Sequence, residues 1–143
     1  MASDAQSIAR RSADVIWAED HASRGLGMSL DEVGPGTARM SMTVTESMVN
    51  GLGICHGGFI FALADSTMAF ASNSRGGKFV AQHAQVTFLA PAHLGLRLAA
   101  TAREQHRAER SGLYDVTVRG EDGTAIAEFR GQTRRIPGSF VDV

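Results

Sequence analysis

Between His56 and Arg75 the chain carries one ionisable side chain, Asp65. Around it stand Phe, Ile, Leu, Met, Ala and Gly, with a few small hydroxyl and amide residues. A carboxylate inside so apolar a run limits what the segment can become, because an unpaired charge is costly to bury. Residues 58–73 read as a helix about 24 Å long at ~1.5 Å per residue. Ala62, Leu63, Ala64, Met68, Ala69 and Ala71 favour that conformation. The apolar residues run all round rather than along one stripe, which predicts a helix enclosed on most sides. It is too short and too rich in small residues to span a membrane, which takes about 20 mostly apolar residues. The expectation is a central helix in a soluble fold. Phe61, Ala62, Met68 and Ala69, the helical neighbours of Asp65, offer it no counter-charge. Asp65 therefore points to water, caps something, or is placed for chemistry.

The turn ahead of this helix supplies a second part. Gly57 and Gly58 stand at the helix start, and glycine lets a backbone approach a ligand closely. The first N–H groups of a helix lack internal partners and carry the positive end of its dipole. They suit a carbonyl oxygen that gains negative charge during acyl transfer. A polarising helix start, with a carboxylate about two turns along, is what thioester or ester hydrolysis requires.

The pattern N-x-x-x-x-C-H-G-G-x-x-F-x-L-A-D-x-x-x-A-x-A-x-N over residues 50–73 resembles the signature of the hotdog-fold thioesterases of the phenylacetate-degradation type, relatives of the 4-hydroxybenzoyl-CoA thioesterases. The flanks agree. W-A-E-D-H-A-S-R-G-L-G-M resembles the family's leading helix, V-T-F-L-A-P-A-H-L-G-L-R-L-A-A-T-A its strand pair after the central helix, and F-R-G-Q-T-R-R-I its last strand. The resemblance implies an α+β hotdog fold, an antiparallel sheet wrapped around a long central helix. It implies an acyl-CoA thioesterase acting on aryl or medium-chain acyl-CoA, phenylacetyl-CoA first among them, without a cofactor or metal. It also implies a homodimer or homotetramer, with Asp65 of one subunit facing the Gly57 turn of the other. Asp65 would be nucleophile or general base, and the Gly57 N–H would polarise the carbonyl. His56 and Asn50 would hold the turn or the substrate. Gly58, Phe61, Thr67 and Met68 would contact substrate. One departure is visible: relatives often read G-D-x-L where this chain has Gly95-Leu96-Arg97-Leu98. That bears on surface or CoA contacts rather than on the chemistry. A non-catalytic acyl-CoA binding or sensing protein on the same fold is the alternative, since fold does not fix function. Asp65 favours the enzyme. A hydratase would want an Asp/His pair at another offset.

The remaining features are consistent with one domain over residues 1–143, because that length can bury one sizeable core. Fourteen basic against 15 acidic residues leave a net charge of −1, which gives no reason to expect nucleic acid. A single cysteine, Cys55, forms no internal disulfide and fits a reducing cytoplasm. The first residues lack the apolar core of a signal peptide. The histidines show no metal-ligand spacing. Cys55 beside His56 suggests a thiol and its base, but adjacent residues rarely aim at one atom, and no orienting carboxylate or amide is apparent. Arg107, Arg110, His106, Arg134 and Arg135 read as solvated turn and strand charges, or as contacts for CoA phosphates.

In chain order, residues 3–24 read as an amphipathic helix, capped by Ser3 and ended by Gly25 and Gly27. Its Trp17 packs on the sheet, and His21 sits late in it near the negative pole. Residues 28–44 read as a hairpin turning at 33–36. Strands follow over 79–89, broken by Pro91, then 94–105, 112–119 and 124–135, each antiparallel to the last. Pro137-Gly138 opens a frayed tail.

Overall fold

The computed structural model describes residues 2–142, with side chains from Asp4 to Asp142. The cap expected of Ser3 therefore falls outside the described side chains. Two helices lead, α1 (Ala2–Glu19) and α2 (His21–Gly25). The single helix read over 3–24 is broken at Asp20, whose carboxylate accepts the Ser23 N–H at 2.9 Å and caps α2. His21 thus opens a helix instead of closing one. A hairpin follows, β1 (Ser29–Gly34) and β2 (Thr37–Thr43), turning at Pro35 and Gly36. Then come α3 (Gly57–Ser72), β3 (Gly77–Phe88), β4 (Arg97–Arg107), β5 (Ser111–Gly120) and β6 (Ala125–Ser139). This is the α+β arrangement expected, six antiparallel strands wrapped on one long helix.

Strand order is β1-β2-β4-β5-β6-β3. β3 and β4 follow each other in the chain but do not pair. The reason is α3. Its 16 residues give about 24 Å, enough to cross four strand spacings of about 4.8 Å. The chain leaves β2, crosses the sheet on α3 and emerges at the far edge, where β3 pairs with β6. That pairing also corrects the tail: β6 runs through Pro137 to Ser139, because β3 supplies a partner up to Gly77↔Ser139. Pro137 and Gly138 sit in the register shift between Lys78↔Ile136 and that last pair, where a missing N–H is tolerated.

α3 turns Ile60, Leu63, Ala64, Thr67, Met68, Phe70 and Ala71 inward. They meet Met40, Met42, Leu98, Val116, Val118, Ile126 and Phe129 from the strands, all buried. Gly131 on β6 is what lets helix and sheet approach, since a Cβ there would collide with the Met68 sulfur. Trp17 packs on Phe70 of α3, with ring centroids 6.2 Å apart, and borders Ser29 and Leu30 of β1. Ser23 and Ser66 hydrogen-bond at 2.8 Å. The sheet and the leading helices cover two sides of α3 only. Gly58, Phe61, Ala62, Asp65 and Ala69 make a strip that these elements leave partly or wholly exposed. The expectation of a helix enclosed on most sides is corrected to this extent.

Candidate active site

The turn 49–56 is fixed before the helix begins. Asn50 accepts the Leu52 and Ile54 N–H groups on Oδ1 at 2.9 and 3.4 Å. The Asn50 N–H donates to the Ile54 carbonyl at 2.8 Å. Cys55 N–H donates to the Ala92 carbonyl and His56 N–H to the Met48 carbonyl, at 2.8 and 2.7 Å. With its oxygen so engaged, Asn50 has its amide NH2 left to offer.

His56 is the N-cap of α3, and its Nδ1 accepts the Gly58 N–H at 2.9 Å. An accepting Nδ1 carries no proton, so a neutral ring in this position holds its hydrogen on Nε2. The next helical donor is thereby occupied. The Gly57 N–H, at the first helical position, meets no acceptor among the described residues. One backbone donor thus remains open at the positive end of the helix.

Gly57 lines a cleft of about 520 Å³ together with Asn50, Ile54, Ile60, Phe88 and Leu89. Cys55 also borders it, but its thiol donates to the His56 carbonyl at 3.5 Å, and burial pushes its pKa up. A buried thiol held on a carbonyl is a poor nucleophile.

Asp65 lies on the open strip of α3. It is half-buried and has no hydrogen bond or ion pair among the described residues. Burial holds its carboxyl above the ordinary carboxylate value. Phe61, one turn back, borders the same strip with its ring edge-on to Phe129 at 5.3 Å. Thr67 and Met68 do not. Both are fully buried on the sheet side, the Thr67 hydroxyl donating to the Leu63 carbonyl at 2.7 Å and Met68 filling the space at Gly131. Thr67 is turned about 200° round the helix from Asp65, whereas Met68, three residues on, is a helical neighbour of Asp65 whose side chain is directed at Gly131 and buried. Gly58 is exposed at the strip's upper end.

Asp65 is eight residues beyond Gly57, about 12 Å along the helix axis. No single carbonyl can reach both groups of one chain. Residues 88–92, which in sequence look like a strand end and a break, also line the cleft. No local pattern marked them.

Arg97, next to Leu96 where the chain departs from the family pattern, donates to the hydroxyls of Ser41, Thr43 and Ser29 at 2.7, 3.0 and 3.2 Å on the outer face of the sheet. No helix among the described residues is long and apolar enough to cross a membrane.

The family model for the thioesterase superfamily matches residues 52–127. Over 130 residues the chain is 37% identical to the acyl-coenzyme A thioesterase PaaI of Escherichia coli K12, covering 91% of this chain and 93% of that one. The structure of the E. coli PaaI protein from the phenylacetic acid degradation operon superposes with a TM-score of 0.92 at 36% identity, over 94% of this chain and 97% of the other. A mutant of the phenylacetic acid degradation protein PaaI from Thermus thermophilus superposes with a TM-score of 0.77 at 35% identity, over 80% and 97%. With the family model, the sequence likeness and the sheet-on-helix architecture in agreement, this chain belongs to the thioesterase superfamily and is a hotdog-fold thioester hydrolase.

Proposed function

We propose that the protein hydrolyses acyl-CoA thioesters, with aryl groups of the phenylacetyl kind preferred, at sites shared between two subunits. The observation that carries this reading is Asp65: among the described residues it is a half-buried carboxylate without a partner, on the helix whose first N–H is also without an acceptor. A protein that only binds acyl-CoA gains nothing from such a group, and it weakens the fold.

In the proposed reaction the thioester carbonyl oxygen rests on the Gly57 N–H of one subunit. Asp65 of the partner subunit takes a proton from water. The water oxygen bonds to the carbonyl carbon, and the charge that develops on the carbonyl oxygen is met by a donor already in place. Collapse breaks the carbon–sulfur bond, and the departing thiolate takes the proton back from Asp65. A raised pKa suits a base, since it binds the proton more firmly at working pH. Direct attack by Asp65 would give a mixed anhydride instead. A single turnover in heavy-oxygen water that labels the Asp65 carboxylate identifies the anhydride route, because a general base never exchanges its oxygens. His56 holds the helix start, and the Asn50 amide stands at the rim for a polar group of the substrate. Phe61 flanks the carboxylate.

The pairing of two chains is supported by β3. It is a 12-residue edge strand whose outer row of backbone groups is open, and such an edge is a template for a second strand. A two-fold axis beside it brings one copy's Asp65 strip toward the other's Gly57 turn. The substrate class points to the cytoplasm, where acyl-CoA is made and used.

The test is thiol release from a panel of aryl, short-chain and long-chain acyl-CoAs. Turnover with phenylacetyl-CoA as the best or nearly best substrate is expected. Binding without turnover across the panel would favour the non-catalytic alternative, and a clear preference for long chains would overturn the aryl assignment.

A further inference from the structure

Gly57 does not owe its glycine to backbone conformation. Its φ lies outside the left-handed region, where only seven other glycines of the described chain are found. Space is the reason. A Cβ placed at Gly57 would lie 2.7 Å from Cζ of Phe88 and 3.2 Å from both Cε1 and Cε2. The far edge of the Phe88 ring therefore points at the backbone that carries the open N–H. Phe88 ends β3 on the helix-facing side, two residues beyond Val86, which packs against the core. Phe88 is itself 50% exposed. It lines the cleft together with Gly57, Ile54, Ile60 and Leu89.

We infer that Phe88 determines specificity: its ring is the wall on which the acyl group lies once the carbonyl is on the Gly57 N–H. This rests on the reaction proposed above. A flat acyl group can stack on or edge against that ring, with the offset or T-shaped geometry aromatic pairs favour. A group branched next to the carbonyl meets the ring at the closest point of the cleft. A straight chain fits but gains less from the face. The glycine at 57 and the aromatic at 88 act as one unit, the first absent a side chain so that the second can reach the reacting carbonyl.

Two variants test this, read with phenylacetyl-CoA, hexanoyl-CoA and a branched short-chain acyl-CoA. Phe88→Ala should lower the phenylacetyl-to-hexanoyl ratio of kcat/KM by about five- to tenfold, the discrimination one aromatic contact can carry, and raise relative activity toward the branched substrate. Gly57→Ala keeps the N–H but drives its methyl into the ring. It should impair the parent enzyme and do much less harm in the Phe88→Ala background. An unchanged selectivity ratio in a folded Phe88→Ala enzyme, with all substrates slowed alike, would make Phe88 a brace and overturn the inference. So would additive losses in the double variant. If the parent enzyme hydrolyses none of the three, the underlying reaction fails, and that result is separate from these.

Discussion

The two ends of α3 are built to opposite specifications. At the C-terminal end the polar side chains are tied into the fold, with the Nε of Arg75 the one buried atom of this group left without a partner among the described residues. Asn73 donates from Nδ2 to the Ala69 and Phe79 carbonyls at 2.9 and 3.2 Å and accepts the Phe79 N–H on Oδ1 at 2.7 Å. Ser72 donates to Thr133 at 2.8 Å, and Ser74 bridges the Ala71 carbonyl and the Gly36 N–H. The Arg75 guanidinium meets Glu104 at 3.2 Å, and Tyr114 reaches the same carboxylate at 3.3 Å, its pKa pushed up to about 12 by burial and by that neighbouring charge. At the N-terminal end one N–H is open beside a cleft, and two turns along a carboxylate is open too. Burial without partners is destabilising, and here two such groups share one helix beside a cleft. The stitched end holds the helix on the sheet, and the open end has donors and charge to spare for a substrate.

The comparison breaks most visibly at Asp65. Asp65→Asn keeps the shape and removes the charge. Its kcat should fall by about 10²- to 10⁴-fold, the range for a positioned acid–base group, while KM changes far less. Stability should move the other way. Because the folded pKa is raised, the folded chain holds the proton more tightly than the unfolded chain. That stabilisation is present below the unfolded value and lost as pH rises through the folded value. The variant should therefore melt above the parent at neutral pH, with the gain vanishing in acid below the ordinary carboxylate range. A gain equal at every pH, or a loss of Tm at neutral pH, contradicts the unpaired assignment.

Gly57 gives the next effect. Proline is accepted at the first position of a helix and lacks an N–H, and the His56 backbone ahead of it, with φ −61° and ψ 132°, already suits a following proline. Gly57→Pro should fall about 10²- to 10³-fold below Gly57→Ala in kcat, the cost of one oxyanion donor. The alanine variant is the reference because both variants place a Cβ against Phe88. Equal rates for the two would remove the N–H from the mechanism.

At the other end the smallest change in activity is expected. Asn73→Ala loses three hydrogen bonds from a residue that is 4% exposed. About 2 kcal/mol of stability should go, seen as a Tm lower by roughly 4–8 °C, with kcat within about twofold of the parent. A large fall in kcat at unchanged Tm would mean the stitched end takes part in the chemistry.

Much of this was readable in the chain. The helix expected over 58–73 is Gly57–Ser72, and the hairpin turn falls at Pro35-Gly36, because both rest on local composition. Pairing was not readable: nothing in β3 says that its partner is β6 rather than β4, a choice made by the reach of α3. The break at Asp20 had a signal, an aspartate three residues ahead of the N–H it caps, hidden by the apolar stripe running across it. Asp65, Gly57, His56 and Asn50 stood out because they are polar or glycine in a telling order. Thr67 and Met68, read as pocket candidates, are buried in the core of the chain, and Phe88 reaches Gly57 only through the fold.

The central claim is that each site draws Asp65 from one subunit and the Gly57 N–H from the other. Mixing decides it. Asp65→Asn and Gly57→Pro proteins, each nearly inactive alone, are unfolded together and refolded at equal concentrations. A mixed dimer then contains one site with both groups intact, and half of randomly paired dimers are mixed, so about a quarter of parental activity should return. No recovery, with light scattering showing that mixed dimers have formed, would place both groups in the same chain's site and contradict the account.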